Sequence, residues 1–244
     1  MASLNGLIVL MFVAIISACT VSSQLSLRDG SAASSDLDIH LSDEFATYLL
    51  DLSGVLGMVD EPVSPFDLQA LADAFDAEPG VRLVGGAIPD PSRLHIALDI
   101  EDLERAFTEG PTRIDGLVRL EDTGRDRVMT VTLSRERVLE LTAVTPVAEQ
   151  SSIAFLLPPD GMGADEYVEY LAWAMEEYET DVPIETVIRD ARLTVRVTAP
   201  GQILSVGGGR LGADDRGQYA EFSEQAVTLL TTDEPTSWSV RYRP

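Results

Sequence analysis

The chain has 244 residues, 45% of them hydrophobic, and its 41 aspartates and glutamates outnumber 17 arginines to leave a formal charge of −24. No lysine is present. A surface this acidic repels nucleic acid and anionic lipid headgroups, which excludes a phosphate-tracking or polybasic role; the same composition is expected of proteins from saline surroundings, where carboxylates hold water and ions screen their repulsion.

The first element is an apolar run from Leu7 to Ile16 that leads into Ile16-Ser17-Ala18-Cys19. It is too short to span a bilayer and reads as a removed secretory segment, with Cys19, the one cysteine, as the lipidated new N-terminus of a bacterial lipoprotein. The rival reading is an ordinary secretory signal whose cleavage leaves one thiol. Met1 to Gly6 carries no arginine or lysine, so a wrongly assigned start at Met1 stays open. A thioether-linked diacyl group with a further N-acyl chain such as palmitate anchors firmly, since each buried methylene contributes about 0.8 kcal/mol. The expected division is a signal peptide over residues 1–18 and a single α+β envelope domain over residues 19–244, with a subdomain boundary near 146–152. The body would be lipid-anchored to a bacterial membrane, facing the periplasm or the cell surface. No disulfide remains once Cys19 is used.

After Cys19, Val21 to Arg28 alternates, Asp29-Gly30 marks a turn, and Leu37, Ile39 and Leu41 alternate again, which predicts a hairpin. Ser42 is an N-cap candidate ahead of acidic Asp43 and Glu44, and Phe45, Leu49, Leu52 and Leu56 recur at helical spacing. A second helix is predicted from Ser64-Pro65-Phe66-Asp67, with Ser64 as cap, to Pro79-Gly80. Strands follow at Val81 to Val84 and Leu94 to Ile100, then a short helix around Asp102 to Phe107.

The hairpin-then-helix plan returns with Leu117 to Glu121, a turn at Asp122-Thr123-Gly124, Val128 to Leu133, and Ser134 capping Arg135 to Leu141. Ile39-His40-Leu41-Ser42 and Val131-Thr132-Leu133-Ser134 look alike, but a capped helix after a strand recurs for local reasons, and a duplication is not needed. Beyond Pro158-Pro159-Asp160-Gly161 come a long helix, Asp165 to Tyr178, and a shorter one over Asp181 to Asp190. The last third is strand-rich: Leu193 to Val197, Ile203 to Val206, Val227 to Leu230 and Trp238 to Tyr242. The fold class is α+β, antiparallel hairpins with amphipathic helices packed on one face.

Chemistry is sparse. His40 and His95, the only histidines, each stand between apolar neighbours on a strand and read as polar-face residues; pairing them with Asp38 or Asp99 around a metal lacks a ligand spacing. Gly207-Gly208-Gly209-Arg210-Leu211-Gly212 formally fits Gly-x-Gly-x-x-Gly, but its acidic, turn-like continuation opposes a phosphate and points to a flexible hairpin loop. The pairs Asp43-Glu44 and Glu176-Glu177 have no context that marks a hydrolytic dyad. Catalytic residues, metal and cofactor are therefore all expected to be absent. The helix Asp165 to Tyr178 predicts Tyr167, Leu171, Ala174 and Tyr178 inward with Tyr170 and Trp173 to one side, which makes those two the candidate ligand-facing pair.

The stretch Cys19 to Ser53, a lipobox cysteine running directly into a hairpin and an amphipathic helix, resembles the LppM-type bacterial lipoprotein domain, and Trp238-Ser239-Val240-Arg241-Tyr242 is similar to that family's final strand. The resemblance implies a cell-envelope α+β domain related to folds that hold lipids, with no catalytic residue to carry over. It also implies that anchoring rests on the lipid, because the C-terminal membrane helix of some such proteins has no counterpart here. The expected role is a non-catalytic binding or interaction protein, its partners the membrane through Cys19 and a lipid, glycan or envelope-protein ligand, with no nucleic acid. A structural subunit of an envelope complex and an acid-residue hydrolase are the alternatives.

Overall fold

In the computed structural model, which describes residues 19–55, 64–76, 78–109, 114, 116–143 and 156–244, the alternation after Cys19 becomes β1 (Cys19–Leu27) and β2 (Ala33–Leu41), paired antiparallel in full register from Cys19 opposite Leu41 to Leu27 opposite Ala33. Gly30 turns the hairpin at φ +76°, a left-handed conformation that glycine enters without steric cost. Cys19, Val21, Ser23, Leu25 and Leu27 are all buried while Thr20, Ser22 and Gln24 are exposed, so one face of the sheet is covered and the other faces solvent. The residues 1–18, Leu56 and the boundary region 146–152 lie outside the described residues.

Helix α1 (Asp43–Val55) begins as its cap predicts, with the Phe45 N–H donating to Ser42 Oγ at 3.2 Å. Helix α2 (Leu68–Asp76) begins three residues later than Ser64 suggested. Asp67 is the cap, its Oδ1 accepting the N–H groups of Gln69 and Ala70, while Ser64 Oγ accepts the Phe66 N–H and donates to Pro91 O at 3.1 Å. α2 packs Leu71, Ala74 and Phe75 inward and lies against β3 (Val81–Asp90). β4 (Arg93–Ile100), the short α3 (Arg105–Thr108), β5 (Val118–Asp122), β6 (Arg127–Leu133) and α4 (Arg135–Ala143) follow, the last capped by Ser134 Oγ, which accepts the Arg137 N–H.

The predicted long helix is two elements. α5 (Ala164–Ala174) ends where Met175 leaves helical dihedrals (φ −108°, ψ 8°), and a 3₁₀ turn, Glu176–Tyr178, continues it. α6 (Ile184–Asp190) leads into β7 (Arg192–Thr198), β8 (Gln202–Gly207), β9 (Arg210–Asp214) and β10 (Gly217–Gln225). Val227 to Leu230 is not a strand but the body of α7 (Ala226–Thr231): Ala226, Val227, Leu229 and Leu230 are buried together, and a short apolar run does not by itself distinguish helix from strand. β11 (Thr236–Arg243) is the last strand of the described residues.

Eleven strands make two sheets among the described residues, ordered β3-β4-β2-β1-β7-β10-β9 and β5-β6-β11-β8. Every pairing is antiparallel except β1 with β7, which run parallel from Val21 opposite Leu193 to Ser26 opposite Thr198. The covered face of the larger sheet, the smaller sheet and the helices share one apolar core. Hydrogen bonds fasten the β1–β2 turn to later segments: Arg127 Nη1 donates to Gly30 O at 2.7 Å, Leu103 N to Ser31 O at 2.7 Å and Ser31 Oγ to Asp102 Oδ2 at 2.7 Å.

Candidate functional site

Alternating apolar residues of both sheets converge on a cavity of about 50 Å³ between them. Its wall takes Leu25 and Leu98 from the first hairpins, Val195 and Phe222 from β7 and β10, Met129 and Trp238 from the smaller sheet, and Ala106 and Phe107 from α3, and none of its fifteen lining residues is polar. Water gains nothing in such a space, since it needs two to four polar partners. Close by, Ser23 and Ser35, both buried on the same covered face, hydrogen-bond each other at 3.2 Å and so satisfy their hydroxyls internally. These lining residues were not singled out from sequence, because the alternation that places them is that of any sandwich core.

The proposed pair on α5 is divided by the structure. Tyr170 is half-buried against the core and lies near enough to Tyr48 to influence its ionisation, whereas Trp173 is 73% exposed. Tyr48 meets Tyr178 edge-on with ring centroids 5.4 Å apart, and Tyr178 Oη donates to Asp51 Oδ2 at 3.1 Å. Burial pushes both phenols above their ordinary pKa, with the Asp51 carboxylate adding to the effect at Tyr178. The ending of α5 at Met175 brings Tyr178 onto α1 and out of the inward row predicted for it.

Cys19 opens β1 on the covered face, 1% exposed. His95 and Asp38 are cross-strand partners, with Nδ1 4.0 Å from Oδ2, but Arg93 already grips that carboxylate through Nε and Nη2; His40 is exposed two residues along β2. Among the described residues no group of histidine, cysteine and carboxylates is placed to hold a metal ion.

The glycine run is neither a phosphate loop nor a flexible hairpin tip. It is the crossover from β8 in the smaller sheet to β9 in the larger, and no helix follows it. A Cβ on Gly209 would sit 2.5 Å from Glu221 O and against the Phe222 ring, and one on Gly207 would sit 2.6 Å from Ser239 Oγ. Close packing, rather than mobility, requires these glycines. The hairpin turn itself lies between Asp214 and Gly217.

Among the described residues, the carboxylates whose pKa is displaced are displaced downward. Thr180 donates to Glu44, and arginine pairs hold Asp99 (Arg82, Arg28) and Glu221 (Arg210, Arg196). At Asp126 burial acts in the opposite direction, but Arg241 and Arg243 outweigh it. A more open groove of about 810 Å³ beside the start of α4 is lined by Ser134, Arg135, Glu136, Asp160 and Asp233, yet the Arg135 guanidinium is committed to Leu230 O, Pro158 O and Asp160.

No helix among the described residues is long and apolar enough to cross a membrane. No family model matches the chain, and no curated protein matches it. Among solved structures it is similar to the folded domain of LppM from Mycobacterium tuberculosis, determined by NMR, over 93% of this chain and 90% of that one, at 8% identity and a TM-score of 0.40. This is a weak likeness of fold alone.

Proposed function

We propose that the protein is a non-catalytic envelope lipoprotein that binds an apolar ligand, the hydrocarbon part of a lipid, between its two sheets. The observation that carries this reading is the cavity whose entire wall is apolar and whose aromatic residues include Phe222 and Trp238 from opposite sheets, with Phe107 from α3. An apolar cavity of about 150 Å³ takes benzene; at about 50 Å³ the site admits the end of an alkyl chain, and Met129, whose unbranched side chain repacks readily, supplies the further room. The lowered carboxylates favour binding over acid catalysis, because a general acid needs a pKa moved upward. Anchoring is assigned to Cys19. The Cys19 thiol is 1% exposed at the start of β1, so a lipid on its sulfur requires this first residue to turn out of the covered face.

Energy transfer tests the reading. In a Trp173→Phe protein Trp238 is the one indole left, and a dansylated fatty acid entering the cavity quenches it while dansyl emission rises. Ala106→Leu, which fills the wall, should abolish the transfer. No transfer in the parent, or the same transfer with Ala106→Leu, overturns the assignment.

A further inference from the structure

The outward side of α5 carries chemistry that the apolar cavity does not use. Tyr167, Val168 and Leu171 face the core, which leaves Glu166, Glu169 and Trp173 on the exposed side, with Glu176 and Glu177 continuing it past the helix end. Among the described residues Trp173, at 73%, is the most exposed large hydrophobic side chain, whereas the other indole, Trp238, is 3% exposed. An indole gains more from burial than almost any side chain, so one left in water on a helix that has a well-filled inner face is unaccounted for by folding.

Its surroundings are acidic. Several carboxylates elsewhere are held by arginines, Asp38 by Arg93, Asp99 by Arg28 and Arg82, Asp126 by Arg241 and Arg243, Glu221 by Arg196 and Arg210. Glu166, Glu169, Glu176 and Glu177 have no ion pair among the described residues, and the arginine of neighbouring α6, Arg189, is engaged by Asp165. The protein itself contains the arrangement that would complete the patch. The Arg196 guanidinium lies over the Tyr219 ring, 4.7 Å from its centroid, while Glu221 accepts from its Nε at 2.7 Å. A cation held between an aromatic face and a carboxylate is thus built into β7 and β10, and Trp173 with Glu169 and Glu177 offers the same two components without the cation.

The geometry points to the exposed side of α5 as a docking surface for a lysine- or arginine-bearing polypeptide segment, with a basic side chain over Trp173 and the flanking glutamates around it. The uncompensated carboxylates repel an anionic membrane surface, which favours a protein partner over lipid headgroups. This site is separate from the cavity, so the two assignments stand or fall apart.

The probe is a fluorescein-labelled decapeptide of alternating lysine and glycine, titrated into the full chain and followed by fluorescence polarisation at low and moderate salt, beside its glutamate-glycine counterpart. Saturable binding of the lysine peptide alone is expected, weakened about tenfold by Trp173→Ala and by Glu169→Gln combined with Glu177→Gln. Leu211→Ala, which removes an exposed apolar side chain on β9, should leave it unchanged. Absence of binding, or binding that Trp173→Ala leaves intact, overturns the proposal by reducing the attraction to bulk charge. Trp173-dependent sedimentation with phosphatidylglycerol vesicles would overturn it in favour of a membrane-facing surface.

Discussion

The Trp238 indole lies nearly flat on the Phe222 ring, with centroids 5.3 Å apart and planes 13° from parallel, so that a residue of the smaller sheet and one of the larger stack directly across the interface. The crossover glycines close over this stack. A Cβ on Gly208 would meet Trp238 Cδ1 at 3.2 Å as well as the Ser237 carbonyl, at a residue whose φ of +74° already disfavours any side chain. Gly209→Ala is expected to destabilise the fold by at least about 2 kcal/mol, because the added methyl meets backbone that has little room to move. Chemical denaturation checks this, and a loss below about 0.5 kcal/mol would show that the crossover yields.

Gly163 caps α5 without any side-chain acceptor, though the Tyr167 N–H donates to its carbonyl in the ordinary way. Its φ is −77°, its position is open, and nothing lies within 4 Å of where a Cβ would go. Gly163→Ser supplies an acceptor for the orphan amides of the first turn and should raise stability by a few tenths to about 1 kcal/mol. A lowered thermal midpoint would contradict the helix start.

Asp126 ties the β5–β6 turn to β11 by accepting from Arg241 Nη2 at 2.7 Å and Arg243 Nε at 2.9 Å. Its pKa is lowered on folding, so its contribution is complete above the unfolded value near 3.9 and is lost as pH falls through the folded one. Glu221 follows the same sign from an unfolded value near 4.3. Asp126→Asn should therefore be less stable at neutral pH, and its stability should fall less steeply than the parent's on acidification below about pH 4. Parallel acid-unfolding curves would remove the role.

The formal charge of −24 acts on the whole body. Self-repulsion is screened as salt rises, so the melting temperature should climb by several degrees between low and moderate sodium chloride and then level off. Scanning calorimetry across salt settles it. A flat series would mean that the many arginine–carboxylate pairs already balance the surface locally.

Cys19→Ala tests anchoring separately from folding. The substitution removes one sulfur from the covered face and should cost about 1 kcal/mol, leaving the far-ultraviolet circular dichroism intact. Membrane fractionation of the expressed protein should then move it from the particulate to the soluble fraction. Retention in the membrane would assign the attachment to another part of the chain.

Where local chemistry decides, the sequence was readable. Ser42 and Ser134 each satisfy the third helical amide after a strand, and the period-two burial of β1, β2 and β4 follows directly from their alternation. Reading failed where tertiary contacts decide. Ser64 and Asp67 are both capping residues, and only the placement of α2 on β3 selects the second. β9 and β10 hid behind Gly212 and Gly217 and a run of charges, because an edge hairpin with an outward polar face carries little apolar pattern. At the site, Trp173 was visible as an aromatic beyond the core face, while the cavity needed two sheets to be superposed, which no spacing within one segment records.

The parallel pairing of β1 with β7 also sets a timetable. During synthesis β1 and β2 are joined by a short turn and can pair as soon as both have emerged, but the other edge of β1 waits for residues 193 to 198, made some 170 residues later. Sheet closure of such long range is slow, because loop entropy is lost before the contacts form. Throughout that interval the centre of the future sheet is an edge, open to pairing with any passing strand.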